Sequence, residues 1–278
     1  MHDISGLTAT APRIRYWSAG ARGEKILFVM GFGMKGDIWQ SQIVDLKKDH
    51  HVAWFDNRGI GDSETSKEPV WTMKTLASDA KAVLDALEWR RCHLVGVSLG
   101  GMIAQELALA DQRRFLSLTL IATHDGGPVR RKIPPLRGVK NFLKANLARG
   151  PERIDALRTL LYTDEFAASS DQTRLNERLA LQLGRPASRA TTARQLLAVI
   201  GHDTRKRLRD IIIPTLVMKP GQDILVRATG SERLAREIPN ARLVTFPNSG
   251  HGMIFQEAEG VNTHIRRHVL ANTRQMGS

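Results

Sequence analysis

The feature that most constrains this chain is a repeated alternation of short apolar runs with helical stripes. Residues 25–30 (KILFVM) form a continuous apolar run halted by Gly31, and His51–Phe55 forms another, closed by Asp56, Asn57, Arg58 and Gly59. Further runs lie at 92–97, 116–122, 214–218 and 241–246, and residues 14–17 read as an opening strand. Between them, Leu76, Ala80, Val83, Leu84 and Leu87 fall on one face of a helix. Helical patterns also cover 99–109, about 226–237 and about 257–270. Apolar runs without polar alternation belong to strands buried on both faces. Strands alternating with helices predict a mostly parallel, doubly wound sheet.

The alternation breaks between residues 126 and 210. Val139, Phe142 and Leu143, then Ile154, Leu157 and Leu161, then Leu175 and Leu179, then Leu196, Leu197 and Ile200 are each spaced for one helical face. Gly126, Gly127, Pro128, Pro134 and Pro135 mark the exit from the sheet, and Pro214 lies just past the return. The expected organisation is a core domain of residues 1–125 and 211–278 with an all-helical lid, 126–210, inserted after a central strand. That is where the ligand sites of open sheets form. The lid segment holds 18 of the 41 lysines and arginines but only 8 of the 28 acidic residues. Such a block is either a solvated arginine-rich surface or an attractor for an anionic substrate or lipid surface, the latter a weak membrane-surface contact.

Several classes are excluded or disfavoured by what accompanies this pattern. The basic block comes with no zinc-finger spacing, no ribonucleoprotein aromatic motif and no heptads, so no nucleic-acid partner is expected. Cys92 is the single cysteine, which rules out an intrachain disulfide framework and makes a reducing compartment the default. Residues 1–19 are polar, without the apolar core of a secretory signal, and no run approaches the ~20 residues of a membrane span. A cytoplasmic location is the expectation. No metal-ligand spacing, Walker sequence or dinucleotide-binding glycine motif is present, so no cofactor is expected.

Gly96-Val97-Ser98-Leu99-Gly100 carries the chemistry. It follows an apolar strand and opens a helix, the setting of a nucleophile elbow, where glycines let a tight turn pack closely and the helix N-terminus faces the serine. A serine hydroxyl is a weak nucleophile and needs a base oriented by an acid. His251, flanked by Gly250 and Gly252 after the last strand, is the candidate base. Asp223, after the preceding strand, is the candidate acid; Asp125, at the end of the 116–122 strand, is the rival. An oxyanion needs two N–H donors. Leu99, next to the serine, and Phe32, in the Gly31–Gly33 turn, are the candidates. Met34, Trp39, Met102 and Met253 lie near these loops and are candidates for an apolar pocket, with core packing as the alternative. Asp56, Arg58 and Asp62 read as a structural polar cluster, and His202-Asp203 as a hinge or cap contact.

With these motifs in order, the chain resembles α/β-hydrolase-fold enzymes of the esterase, lactonase and cofactor-free haloperoxidase/perhydrolase group. The resembling stretches are 29–33, 55–63, 96–101, 214–223 and 250–252, spanning nearly the whole length outside the lid. The resemblance implies Ser98 as nucleophile, His251 as base, Asp223 as acid, and Phe32 and Leu99 as oxyanion donors. Where the family usually has His-Gly before the oxyanion turn, this chain has Met30-Gly31, and the approach to Asp223 is Lys219-Pro220-Gly221-Gln222. Serine at the elbow argues against epoxide hydrolases and haloalkane dehalogenases, which use a carboxylate.

The expected activity is hydrolysis of a small-molecule ester or lactone of medium size, apolar near the carbonyl. Alternatives on the same residues are a perhydrolase, a hydrolase of carbon–carbon bonds in diketone-type acids, and a non-catalytic receptor or signalling protein that keeps the site.

Overall fold

The apolar runs of the sequence assemble into one sheet of eight strands. In a computed structural model that describes residues 3–183 and 187–273, they are β1 (Ile4–Leu7), β2 (Arg15–Ala19), β3 (Lys25–Val29), β4 (His51–Phe55), β5 (Cys92–Val97), β6 (Phe115–Ile121), β7 (Thr215–Pro220) and β8 (Ala241–Phe246). Residues 1–2, 184–186 and 274–278, within the expected domain ranges, lie outside this description. The strand order is β1-β2-β4-β3-β5-β6-β7-β8; β2 pairs antiparallel with both β1 and β4, and every other pairing is parallel. Strand β1 has no counterpart among the apolar runs of the sequence. Its Ile-Ser-Gly-Leu lies largely exposed at the sheet edge, so burial left no apolar pattern to read.

Helices cover both faces. On one side α2 (Met73–Ala86), α3 (Leu99–Ala110) and α10 (Ala228–Glu237) bury Leu76, Val83, Leu107 and Leu234 against Leu27, Leu94 and Leu118. On the other, α1 (Gln40–Leu46) and α12 (Ala258–Thr273) bury Ile43, Leu46, Ile265 and Val269 against Phe28, Val95 and Ile121. Thr72 caps α2, accepting from the Thr75 N–H at 3.1 Å. Arg58 is buried and grips Asp79 of α2 through two 2.6 Å hydrogen bonds, tying the loop after β4 to that helix.

Between β6 and β7 the chain leaves the sheet and forms α4 (Val129–Lys132), α5 (Leu136–Leu147), α6 (Gly150–Leu161), α7 (Asp164–Ser169), α8 (Gln172–Leu183) and α9 (Arg189–Gly201). The four-residue α11 (Met253–Gln256) follows β8. The insertion has its own small core, in which Ala156, Leu157, Leu160, Leu175 and Leu179 pack together. Its exit and return are joined by a bridge between Gly126 and Asp203. His202 caps α9 beside that bridge, and its ring is buried near His124.

This topology decides where a ligand can sit. The chain passes from β3 outward to β4, then crosses back to place β5 on the other side of β3. The loops leaving β3 and β5 therefore diverge at a switch point, which opens a crevice at the strand ends. The Gly31–Gly33 turn and Ser98 are the residues that leave those two strands.

Candidate active site

Ser98 occupies the turn between β5 and α3 with φ +55° and ψ −122°, a left-handed conformation that costs a non-glycine residue about 1–3 kcal/mol. The fold holds it there. The Ser98 N–H donates to Ile121 O at 2.9 Å, and the Thr123 hydroxyl donates to Ser98 O at 2.7 Å. Close packing explains the neighbouring glycines: a side chain at Gly100 would overlap the Val29 carbonyl, and one at Gly96 would overlap Gly100 itself. Leu99, next in the chain, is the first residue of α3.

The turn after β3 approaches Ser98 from the adjacent strand. A Cβ at Gly31 would lie 3.3 Å from Ser98 Cβ, so glycine allows the backbone to come this near. The Asn57 amide donates to Met30 O at 3.0 Å and braces the turn from below. From the insertion, Gln195 Oε1 accepts the Gly33 N–H at 2.9 Å, and Phe142 packs on Phe32 with ring centroids 5.6 Å apart. Gln195 and Phe142 had no sequence signal tying them to this turn, because their contacts exist only once the insertion folds over the strand ends.

His251 and Asp223 come together from the loops after β8 and β7. His251 Nδ1 lies 2.7 Å from Asp223 Oδ2, and both side chains are buried. A carboxylate accepts, so the proton belongs on Nδ1 and Nε2 keeps its lone pair. Asp223 Oδ1 accepts the Leu225 and Val226 N–H groups at 2.7 and 2.9 Å, which pins the carboxylate. The Gly252 N–H donates to Leu161 O at 2.6 Å, fastening the histidine loop to the end of α6. Asp125 is turned elsewhere: it is buried, its Oδ2 lies 3.5 Å from Arg233 Nε, and burial pushes its carboxyl up.

Ser98 and His251 face one cavity of about 580 Å³, enclosed by the strand-end loops and the insertion. Its wall includes Phe32, Met34, Ile38, Phe142, Leu196 and Leu225. Of the sequence candidates for the pocket, Met34 lines it and the other three do not. Trp39 is fully buried against Phe28, with ring centroids 4.8 Å apart. Met102 packs beneath α3 in one sheet-face core and Met253 in the other. Being close in sequence to a motif loop did not bring these residues to the cavity, since apolar side chains there also satisfy the core. Among the described residues no cluster of His, Cys, Asp or Glu is arranged to hold a metal ion, and no helix is long and apolar enough to cross a membrane.

A serine on an elbow, an imidazole paired with a carboxylate, and a tight glycine turn on one cavity define a class of protein. The chain belongs to the alpha/beta hydrolase fold family, whose model matches residues 25–258. Among curated relatives it is 31% identical, over 88% of this chain and 91% of the relative, to the Variovorax paradoxus protein named "Putative carbamate hydrolase RutD". Among solved structures it superposes on the enol-lactonase of Burkholderia xenovorans LB400 with a TM-score of 0.82, at 22% identity over 95% of this chain and all of that one. It also matches Est816, described as an N-acyl homoserine lactone degrading enzyme, with a TM-score of 0.76 at 25% identity over 94% and 99% of the two chains. The protein is a hydrolase of this family.

Proposed function

We propose that the protein hydrolyses carboxylic esters or lactones through an acyl-enzyme on Ser98. The observation that carries this reading is the 2.7 Å His251–Asp223 pair opening on the same cavity as the elbow serine. In the proposed cycle His251 Nε2 takes the Ser98 proton as Oγ attacks the carbonyl carbon. Asp223 holds the tautomer and stabilises the imidazolium. The Leu99 and Phe32 N–H groups receive the negative charge that develops on the carbonyl oxygen; one such donor is worth about 3–4 kcal/mol. The tetrahedral intermediate collapses, the alkoxide leaves with the proton from His251, and a water activated by the same imidazole releases the acid.

The helical insertion acts as the lid and sets the acyl and alcohol preference, because it supplies most of the wall facing Ser98. A cavity of about 580 Å³ with an apolar wall suits a medium-sized substrate. The likeness to Est816 supports including lactones. A second reading, a carbamate substrate, is favoured by the 31% identity to a protein named for that activity. The same attack would serve, on a less electrophilic carbonyl.

The test is turnover of p-nitrophenyl acetate, butyrate and octanoate, a lactone panel and an alkyl carbamate by wild type and Ser98→Ala. Ester or lactone turnover that disappears in Ser98→Ala is expected. Carbamate turnover alone would favour the second reading. Oxidation that requires added peroxide would favour the perhydrolase alternative. A folded wild type with no turnover and an unreactive Ser98 would overturn the hydrolytic mechanism.

A further inference from the structure

Two arginines are deeply buried among the described residues, and they are treated differently. Arg58 is 4% exposed and holds the Asp79 carboxylate in a two-pronged grip. Arg178, on α8, is also 4% exposed, yet among the described residues no carboxylate lies within ion-pair distance of it. Its terminal nitrogen donates to Ile38 O, it is hydrogen-bonded to Tyr162, and its guanidinium lies 5.1 Å from the centre of the Phe255 ring. Its Nε–H is buried without a partner. An unpaired charge in such surroundings is costly unless something compensates it. Burial accordingly holds this guanidinium below the ordinary arginine range.

Arg178 lines the same cavity as Ser98 and His251. Arg149, Arg153 and Arg189 also line it, whereas among the described residues no aspartate or glutamate does. The cavity is thus apolar in its body and one-signed in its charge. Resting on the hydrolase reading above, we propose that Arg178 is the receptor for a carboxylate carried by the substrate, remote from the bond that is cleaved. The substrate class is then a half-ester of a dicarboxylic acid, or a lactone bearing a free carboxylate. Arg149 and Arg189, exposed on the insertion, draw the anion toward the cavity. A carboxylate fits better than a phosphate monoester. Its single charge neutralises the single buried cation, and its two oxygens match the guanidinium fork, while a phosphate group brings a charge of about −2.

The experiment compares p-nitrophenyl half-esters of succinic, glutaric and adipic acids with neutral p-nitrophenyl esters of the same chain length, in wild type, Arg178→Met and Arg178→Lys. In wild type, kcat/KM for the best half-ester should exceed that of its neutral counterpart at least tenfold. That ratio should fall at least tenfold in Arg178→Met and by less in Arg178→Lys, which keeps the charge without the fork. In parallel, calorimetry on Ser98→Ala should show monomethyl glutarate binding, lost when Arg178→Met is added. Inorganic phosphate should compete more weakly than glutarate.

Equal or better turnover of the neutral esters by wild type would overturn the carboxylate receptor while leaving the hydrolase intact. Phosphate outcompeting glutarate would overturn it as well. Arg178-dependent binding of monomethyl glutarate without any turnover would keep the receptor and sink the hydrolytic reading. Should Arg178→Met fail to fold, the wild-type ratio and the Arg178→Lys variant still decide the matter.

Discussion

Around Ser98 the sheet holds its residues by backbone: Ile121 O, Val29 O and the ladder between β5 and β6 surround the elbow so tightly that only glycine fits beside it. The helical insertion reaches the same cavity with side chains, namely Gln195 on Gly33, Phe142 on Phe32 and Arg178 on Ile38. The first region leaves little room for variation, because backbone geometry imposes particular residue types at fixed spacing. The second can exchange one side chain for another and still cover the strand ends. The proposed chemistry resides in the sheet loops, and the proposed choice of substrate in the insertion.

The largest expected effect separates the two aspartates. Ser98→Ala should lower kcat/KM by about 10⁴-fold or more. Asp223→Asn should lower it by about 10³–10⁴-fold, since the histidine then loses its tautomer control. Asp125→Asn, whose side chain faces Arg233, should stay within a fewfold of wild type. A dead Asp125→Asn beside an active Asp223→Asn would invert the assignment of the acid.

Glycines extend the comparison to stability. Gly100→Ala pushes a methyl into the Val29 carbonyl and should cost about 1–3 kcal/mol or prevent folding. At Gly201, the end of α9, a methyl would meet nothing within 4 Å. Gly201→Ala should stabilise by about 0.4–1 kcal/mol through the unfolded chain. Denaturant titration of both variants checks the contrast, and equal losses would show the insertion to be packed as tightly as the sheet.

How much of this could be read from the sequence follows the same division. Strand β4 and the elbow between β5 and α3 were legible because burial on both faces and a tight turn each demand particular residues. Asp223 and His251, which the structure brings into contact, were legible from glycine-flanked loops after successive strands. Arg178 and Gln195 were not, since an arginine or glutamine on a helix looks solvated until the insertion is docked. Trp39, Met102 and Met253 could belong to either pocket or core for the opposite reason, since the core and a pocket ask for the same apolar residues, and the fold places them in the core.

Acid sensitivity tests both regions at once. Burial depresses His93 and His202 to about 3 and His124 and His268 to about 4. Burial is seconded at His202 by His124, Lys132 and Arg207 and opposed by Asp203. The unfolded chain takes up these protons near 6.5 and the folded chain does not. Their contribution is therefore complete above pH 6.5 and lost as pH falls through 4 for His124 and His268 and through 3 for His93 and His202. Asp56 runs against them: burial raises it to about 6, so its ionisation weakens the fold as pH rises from 3.8 to 6. His202→Gln, at the root of the insertion, should flatten the stability slope between pH 6.5 and 4 by up to about 1.4 kcal/mol per pH unit. Unchanged slopes in urea melts across that range would place the acid sensitivity elsewhere.

The smallest expected effect concerns the outer surface of the insertion. Leu136 and Leu143 of α5 are 84% and 51% exposed beside Arg137, Lys140 and Lys144. Weak, salt-sensitive sedimentation with anionic vesicles, absent with neutral ones, is expected. Equal partition with both would remove any membrane role for this face.

The most direct test of the central claim is intact-mass analysis after treatment with a fluorophosphonate, followed by peptide mapping. One adduct on Ser98, absent from Ser98→Ala and greatly slowed in His251→Ala and Asp223→Asn but not in Asp125→Asn, is the predicted result. An adduct on another residue, or labelling undiminished in Ser98→Ala, would contradict it.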